Sequence, residues 1–487
     1  MTALIIDIGS SSVRALLLDE RAATIPGALA QQPQHISTQP LGAATLDINE
    51  LQYKVEQCID QVLQHPAARG IRVVGMATLV GNLLGLDETG TPITPIYTYA
   101  DMRASEAIPD LQAALDLEAL HQRTGCRLHS AYHPARLAWL RGAETDLFVR
   151  VAQWVDIGTY LYQRWFGEAS CSYSVASWSG LLNRSTLEWY GRALEAIGVS
   201  STRLPRLADY NEYRQGLLPN YATRWPVLAD RPFCLAVGDG AAANIGSGCI
   251  NAEQVALTVG TTAALRVVSD DILPRVPEGL WGYRVDAMHH LMGGATSEGG
   301  NIFEWARRTL KLGSPQEVEN ELTQRAPDSH GLTFLPLLAG ERSPGWSDNA
   351  NGVMYGLRLS TTPLDMMQAA LEGVALRLAL VFEQLRPLVN AHSMIIGGGG
   401  ALKASMLWAN IIANALNRPL QINQESEVTA RGAAILAFSA IGLGGLADYP
   451  PTLSAVIEPV PGIVALLAEA RERQQELYQL MFGTVEV

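Results

Sequence analysis

Two short segments, one in each half of the chain, carry the residues best suited to holding a polyphosphate. Residues 4–19 read LIIDIGSSSVRALLLD and residues 255–270 read VALTVGTTAALRVVSD. In each, apolar β-formers lead into a glycine and small hydroxyl residues, Gly9-Ser10-Ser11 or Gly260-Thr261-Thr262, and a second apolar run follows. The pattern predicts a strand, a tight turn and a returning strand. Such a turn exposes backbone N–H groups and short hydroxyls with no bulky side chain in the way, as a phosphate cradle requires. Two of them predict two lobes gripping one nucleotide.

Two carboxylates stand near these turns. Asp7, where the first strand meets its glycine turn, can hold Mg²⁺ through water beside turn-bound phosphates. The plainer reading is an aspartate that caps the turn. The matching position in the second hairpin is Thr258, so the repeat predicts two phosphate turns but one metal-side carboxylate. Asp239, between Gly238 and Gly240 at a strand end, fits a general base that orients an acceptor hydroxyl and takes its proton during phosphoryl transfer. Taken alone it reads equally well as a helix cap. Gly397 to Gly400 offers a flat backbone surface to a nucleoside, although glycine runs also make simple turns. Gly293-Gly294 and Gly299-Gly300-Asn301 add a backbone-lined opening ahead of a helix N-terminus, which favours anions.

The elements that must position these residues alternate. Apolar spacing predicts a helix over 51–63, strands at 71–77 and 83–86, mostly helix over 101–141, irregular structure over 205–232 and a strand at 233–237 before the Gly238-Asp239-Gly240 turn and a small-residue helix. The second half predicts a strand near His290, a helix over 301–311, a long buried helix opened by Thr362-Pro363-Leu364-Asp365, a strand at 394–396, a helix over 403–416, a strand at 420–422 and a helix over 429–441. Alternation of this kind places the fold in the α/β class, with antiparallel pairs added by the hairpins. The hinge between halves is expected near 240–250.

Composition narrows the partners. A net charge of −13 over 487 residues argues against nucleic acid or an anionic membrane, both of which reward clustered Lys and Arg. The five cysteines are widely spread with no CxxC, and read as reduced core thiols. No apolar run approaches a membrane span and no charged segment with an apolar leader opens the chain, so the expected location is cytoplasmic. His289 and His290 fall on a predicted strand, pointing to opposite faces. His129 and His133 could share a helical face, but no carboxylate or Cys cluster supports a zinc site.

In this order along the chain the motifs resemble the FGGY carbohydrate kinases, within the superfamily of actin, hexokinase and the chaperone ATPases. GVMYGLRLSTTPLDMMQAALE, from Gly352 to Glu372, is similar to the C-terminal signature of that family. DIGSSSVR resembles its first phosphate motif, GDGAAANIG its base motif, VGTTAA its second phosphate motif, GGGGALKASMLWANIIANAL its adenosine motif and EVTARGAAILA its closing helix. The resemblance implies two actin-like (ribonuclease H-like) domains around a central cleft, expected at 1–243 and 244–487, with sugar bound mainly by the first and ATP mainly by the second, and Mg²⁺ as the metal. It gives Asp239 the base role and Asp7 the metal side. Gly9, Ser10, Ser11, Gly260, Thr261, Thr262 and Gly300 then face phosphates, and Gly398 and Gly399 face the nucleoside.

The departures fall in the sugar site. Val80-Gly81-Asn82 stands where xylulose kinases carry Met-His-Gly, Tyr99-Ala100-Asp101-Met102-Arg103 replaces Trp-x-Asp-x-Arg, and Arg136 replaces a usual lysine. HSAYHPARLAWL and GERSPGWS look more like gluconate kinases. Asn82, Tyr99, Asp101 and Arg103 are therefore the sugar-site candidates beside Asp239, with a solvent-exposed ion pair as the alternative for Asp101 and Arg103. The implied reaction is phosphorylation of a terminal hydroxyl of a small sugar, polyol or sugar acid, gluconate first and xylulose second. A catalytically silent sugar-binding regulator is the rival of another class, and keeping both Asp7 and Asp239 argues against it. An actin-type or chaperone ATPase is disfavoured because no peptide-binding domain is recognised. Assembly as a homodimer is left open.

Overall fold

A computed structural model describes residues 1–168, 170–270, 275–347 and 350–483. The first hairpin is β1 (Thr2–Ile8) and β2 (Ser12–Asp19), paired antiparallel with Asp7 opposite Arg14. All seven residues of β1 are buried, which explains its continuous apolar run: a central strand covered on both faces has no polar side. β3 (Thr24–Pro33) joins antiparallel beyond β2, while β4 (Ile71–Thr78) and β5 (Val237–Gly238) join parallel beyond β1. The sheet order is β5-β4-β1-β2-β3.

The second hairpin, β6 (Gln254–Val259) and β7 (Ala263–Ser269), lies in a six-stranded sheet with β8 (Trp281–Arg284), β9 (His290–Thr296), β10 (Met394–Gly398) and β11 (Leu420–Ile422). Its order is β8-β9-β7-β6-β10-β11, with β10 and β11 parallel beyond β6 and β9 antiparallel beyond β7. Both sheets therefore repeat one scheme around their hairpins.

Helices cover the sheets. α1 (Ile48–Val62) starts where the Asp47 side chain accepts from Glu50 N at 2.9 Å. The 101–141 stretch is broken into short helices ending in α2 (His133–Ala143). Pro134 sits in the first turn of α2, so His129 stays in the preceding loop and shares no helical face with His133, contrary to the sequence expectation. His289 likewise falls in the turn before β9, bonded to Asp286, rather than on the strand. The stretch 205–232, expected to be irregular, holds a strand at Arg206–Ala208 and a helix at Pro219–Arg224.

After β5 comes α3 (Asp239–Gly246), and in the second half α4 (Gly300–Thr309), α5 (Pro363–Leu385), α6 (Met406–Leu416) and α7 (Val428–Ala440). α5 opens on the expected cap: Thr362 N donates to Asp365 Oδ2 at 2.7 Å and Asp365 N to Thr362 Oγ1 at 3.2 Å. The helix expected over 403–416 is two pieces, Gly400–Ala404 and α6, because Ser405 stops one and caps the next through Trp408 N. α3 and α7 cross almost backbone to backbone. A Cβ on Gly246 would stand 1.9 Å from Val428 O, and one on Gly432 would stand 1.8 Å from Ala242 O. α7 also packs on β1 and β4, so the chain returns there from the second sheet to the first. A division at 243/244 falls inside α3, and residues 247–253 carry the chain to the second sheet. All five cysteines are buried and free. Among the described residues no helix is long and apolar enough to cross a membrane.

Candidate active site

The glycine segments read from the sequence meet at the second hairpin. Gly300 N donates to Gly260 O at 2.6 Å, docking the N-terminus of α4 on the turn. Gly398 pairs with Thr258 across β10 and β6. Gly399, at φ +92°, lies so close that a Cβ would stand 2.3 Å from Val259 O, so only glycine fits there. Within the first turn Gly9 N donates to Ser12 O, and within the second Gly260 N donates to Thr262 O, both at 3.0 Å. Ser11, Thr261 and Thr262 are exposed, and no atom lies within 4 Å of where a Cβ on Gly260 would point. Both turns thus present small groups to open space, which suits phosphate oxygens.

Beside the second turn lies a cavity of about 340 Å³. Thr258 and Thr262 of the second hairpin line it together with Asp239, Thr429, Arg266 and Arg342. Its wall is an aromatic stack: Trp178 lies on Tyr283 with centroids 3.7 Å apart, and Tyr283 on Trp281 at 4.3 Å. Tyr132 joins through a hydroxyl contact of 2.5 Å to Tyr283. Aromatic faces of this kind suit the C–H faces of a polyol chain.

Asp239 is the first residue of α3, and its Oδ1 accepts from Gly240 N at 2.7 Å. Burial pushes its carboxyl up to about 6 against the pull of that amide and of Arg266, and the charge of Asp7 adds to the rise. Asp7, Ala77 and Val237 stand abreast on β1, β4 and β5, so two strand spacings, about 10 Å, separate the Asp7 and Val237 backbones. Asp7 is 2% exposed and bonded to Arg14, which also bonds Glu427 ahead of α7. Burial holds its carboxyl above the usual range, opposed by Arg14.

The sugar-site candidates divide. Tyr99 lines the cavity with Val80 and Gly81. Asn82, Asp101 and Arg103 do not reach its wall. Asn82 is 1% exposed and spends its side chain on Leu79 O at 2.6 Å and Ile157 N at 2.8 Å. Asp101, also 1% exposed, takes Arg103 at 3.0 and 2.6 Å and Ala44 N at 3.1 Å, while the Arg103 guanidinium lies 4.7 Å over Trp139. The pair is neither a cavity contact nor a surface bridge: it is a buried brace for the loop that carries Tyr99. Arg136 braces the same region, donating to Gly81 O at 2.8 Å and Thr98 O at 2.7 Å.

Sequence reasoning missed Arg266, Arg342 and Trp178. A signal existed for the first two. Arg266 is the lone charge in the apolar run of β7, and Arg342 sits in the GERSPGWS segment already singled out. Trp178 had none, because its place depends on β5 and β8 meeting in space.

A duplicated α/β unit with a glycine-turn hairpin in each sheet defines the actin-like, ribonuclease H-like kinase fold. A ligand-bound xylulose kinase from Lactobacillus acidophilus superposes with a TM-score of 0.93 at 24% identity, covering 99% of both chains. A gluconate kinase from the same organism gives 0.92 at 25% identity, covering 99% of this chain and 98% of that one. The chain belongs to the FGGY family of carbohydrate kinases, matching its N-terminal domain over residues 2–246 and its C-terminal domain over 255–441. It is a phosphotransferase with an alcohol group as acceptor, and its family implies ATP as donor. The gluconokinase of Bacillus subtilis strain 168 is 27% identical over 456 residues, 90% of this chain and 87% of that protein.

Proposed function

We propose that the protein transfers the γ-phosphate of ATP, with Mg²⁺, to a terminal hydroxyl of gluconate. The observation that carries the reading is Asp239, a half-buried carboxylate whose pKa is pushed up to about 6, on the wall of a cavity that also takes in Thr258 and Thr262 of the second turn. A base is most effective when its pKa lies near the working pH, because it is then both ionised and able to accept a proton. The Gly240 amide fixes one carboxylate oxygen and leaves the other to orient the acceptor hydroxyl and accept its proton. Gly9 to Ser11 and Gly260 to Thr262 hold phosphate oxygens, Gly300 adds the N-terminus of α4, and Gly398 and Gly399 bear on the nucleoside. Tyr99 contacts the sugar directly; Asn82, Asp101 and Arg103 act by holding the loops around it.

Asp7 is the residue that would hold Mg²⁺, through water. The residues fit: one buried carboxylate beside an open glycine turn is what a phosphate-bound ion, which keeps most of its waters, requires from a protein. Bound there, the ion neutralises charge on the phosphates. Gluconate is favoured by the likeness to gluconokinase over nine-tenths of the chain. The second reading, a ketopentose kinase, rests on the likeness to xylulose kinase. An ADP-release screen over aldonic acids, ketopentoses, polyols and hexoses tests both. Gluconate should give the highest kcat/KM. Xylulose ahead of gluconate would overturn the substrate, and saturable sugar binding with no turnover on any acceptor would favour a silent regulator.

A further inference from the structure

Two arginines, Arg266 and Arg342, and one carboxylate, Asp239, line the cavity, which leaves an excess of positive charge. Arg266 donates from Nη1 to Thr258 Oγ1 at 3.3 Å, and its buried Nε has no partner. Arg342 donates from Nη2 to the Thr296 carbonyl at 2.8 Å. Among the described residues neither forms an ion pair, whereas the buried Arg377 pairs with Glu341. The carboxylates near Arg342 are engaged elsewhere. Glu341 is taken by Arg377 and Tyr478, and Glu298 accepts from Ala339 N at 2.7 Å. The one carboxylate on the cavity wall is Asp239. Burial depresses both guanidinium groups; at Arg266 the charge of Asp239 opposes that shift and Arg342 adds to it. Unpaired charge in a shielded site is costly, and an anionic ligand relieves it.

We propose that Arg266 and Arg342 form a carboxylate clamp, holding the acid group of an aldonate in the cavity whose wall also carries Asp239. The proposal rests on reading the cavity as a sugar-acid site and names the residues that distinguish an acid from a neutral sugar. The planar fork of arginine matches a carboxylate with two parallel N–H donors, a geometry that lysine does not reproduce. A neutral polyol in the same place leaves both guanidinium groups unanswered, so discrimination comes from the cost of the wrong ligand as much as from attraction to the right one.

The test compares gluconate with glucitol, which carries CH₂OH in place of the carboxylate, in the full-length protein and in Arg266→Gln, Arg342→Gln and their lysine counterparts. Each glutamine variant should lose about 100-fold in kcat/KM for gluconate, chiefly through KM, and the gluconate-to-glucitol preference should shrink by at least about 10-fold. The lysine variants should recover part of the affinity. An equal fall in kcat with both acceptors would show that these cations serve the transferring phosphoryl group, and would overturn the clamp. Calorimetric titration of gluconate without ATP separates this proposal from the kinase reading: a protein that turns over no acceptor but binds gluconate less well in both glutamine variants keeps the clamp and loses the activity. Gluconate binding within about threefold of the parent in both variants, with thermal unfolding unchanged, removes it.

Discussion

Arg14 stands directly across the first hairpin from Asp7 and bonds both that carboxylate and Glu427, the residue ahead of α7. One guanidinium therefore ties the first hairpin to the helix that returns from the second half. The repeat is not symmetric. At the matching place in the second hairpin Thr258 replaces the carboxylate, and Arg266 bonds its hydroxyl instead. The first hairpin carries a carboxylate at that place, and the second sets an arginine on the cavity wall.

Asp7→Ala should weaken the use of Mg²⁺-ATP, raising its KM by about 10-fold or more and moving the magnesium dependence of the rate to higher concentration. A magnesium titration of initial rates checks it. An unchanged magnesium dependence would remove Asp7 from the metal side.

Asp239→Asn should leave ATP binding nearly intact and lower kcat by roughly 10²- to 10⁴-fold, since proton acceptance and orientation are both lost. In the parent enzyme kcat/KM should fall as pH drops through about 6, where the base becomes protonated. Stability runs the other way. The folded-state pKa lies above the ordinary 3.8, so ionisation is penalised in the fold and stability declines as pH rises from about 4 to about 6. The asparagine variant should therefore be more stable than the parent at pH 7.5, by up to about 3 kcal/mol, and lose that advantage near pH 4. Denaturant melts at the two pH values measure it.

Arg136 is fully buried, and its guanidinium satisfies the carbonyls of Gly81 and Thr98, one residue from Tyr99. Arg136→Ala should cost about 3–5 kcal/mol, because it empties volume and leaves buried acceptors unsatisfied. Arg136→Lys should cost less yet raise the sugar KM, as one ammonium does not reach both loops with the same geometry. Urea unfolding and sugar kinetics on the two variants separate the effects.

Gly246→Ala and Gly432→Ala each put a methyl group within 2 Å of a backbone oxygen where α3 crosses α7. Each should destabilise by about 2 kcal/mol or more and lower kcat, since α3 carries Asp239 at its start. Gly142→Ala is the control: nothing lies within 4 Å of its Cβ position in α2, and helix propensity predicts a neutral or slightly stabilising change. Thermal unfolding of the three variants side by side decides the matter.

Local chemistry wrote the two hairpins, the cap at Thr362 and Asp365, the carboxylates Asp7 and Asp239, and the glycines at 260, 300 and 399 plainly enough to be read from the sequence. Each depends on neighbours within a few positions: alternation for strands, a hydroxyl and a carboxylate three apart for a cap, a missing Cβ for a close approach. The breaks were harder. Pro134 and Ser405 end or restart helices within runs that otherwise keep helical spacing.

What only the tertiary structure decided is which side chains share the cavity. Asn82, Asp101 and Arg103 lie close in sequence to Gly81 and Tyr99, yet they turn inward to hold loops, whereas Arg266, Arg342 and Trp178 arrive from strands and turns remote in sequence. The sequence by itself determined the α/β class and the repeated glycine-turn hairpin, because backbone and turn chemistry are local. The lining that distinguishes one acceptor from another was decided by packing between sheets, which brings together residues whose spacing along the chain carries no period.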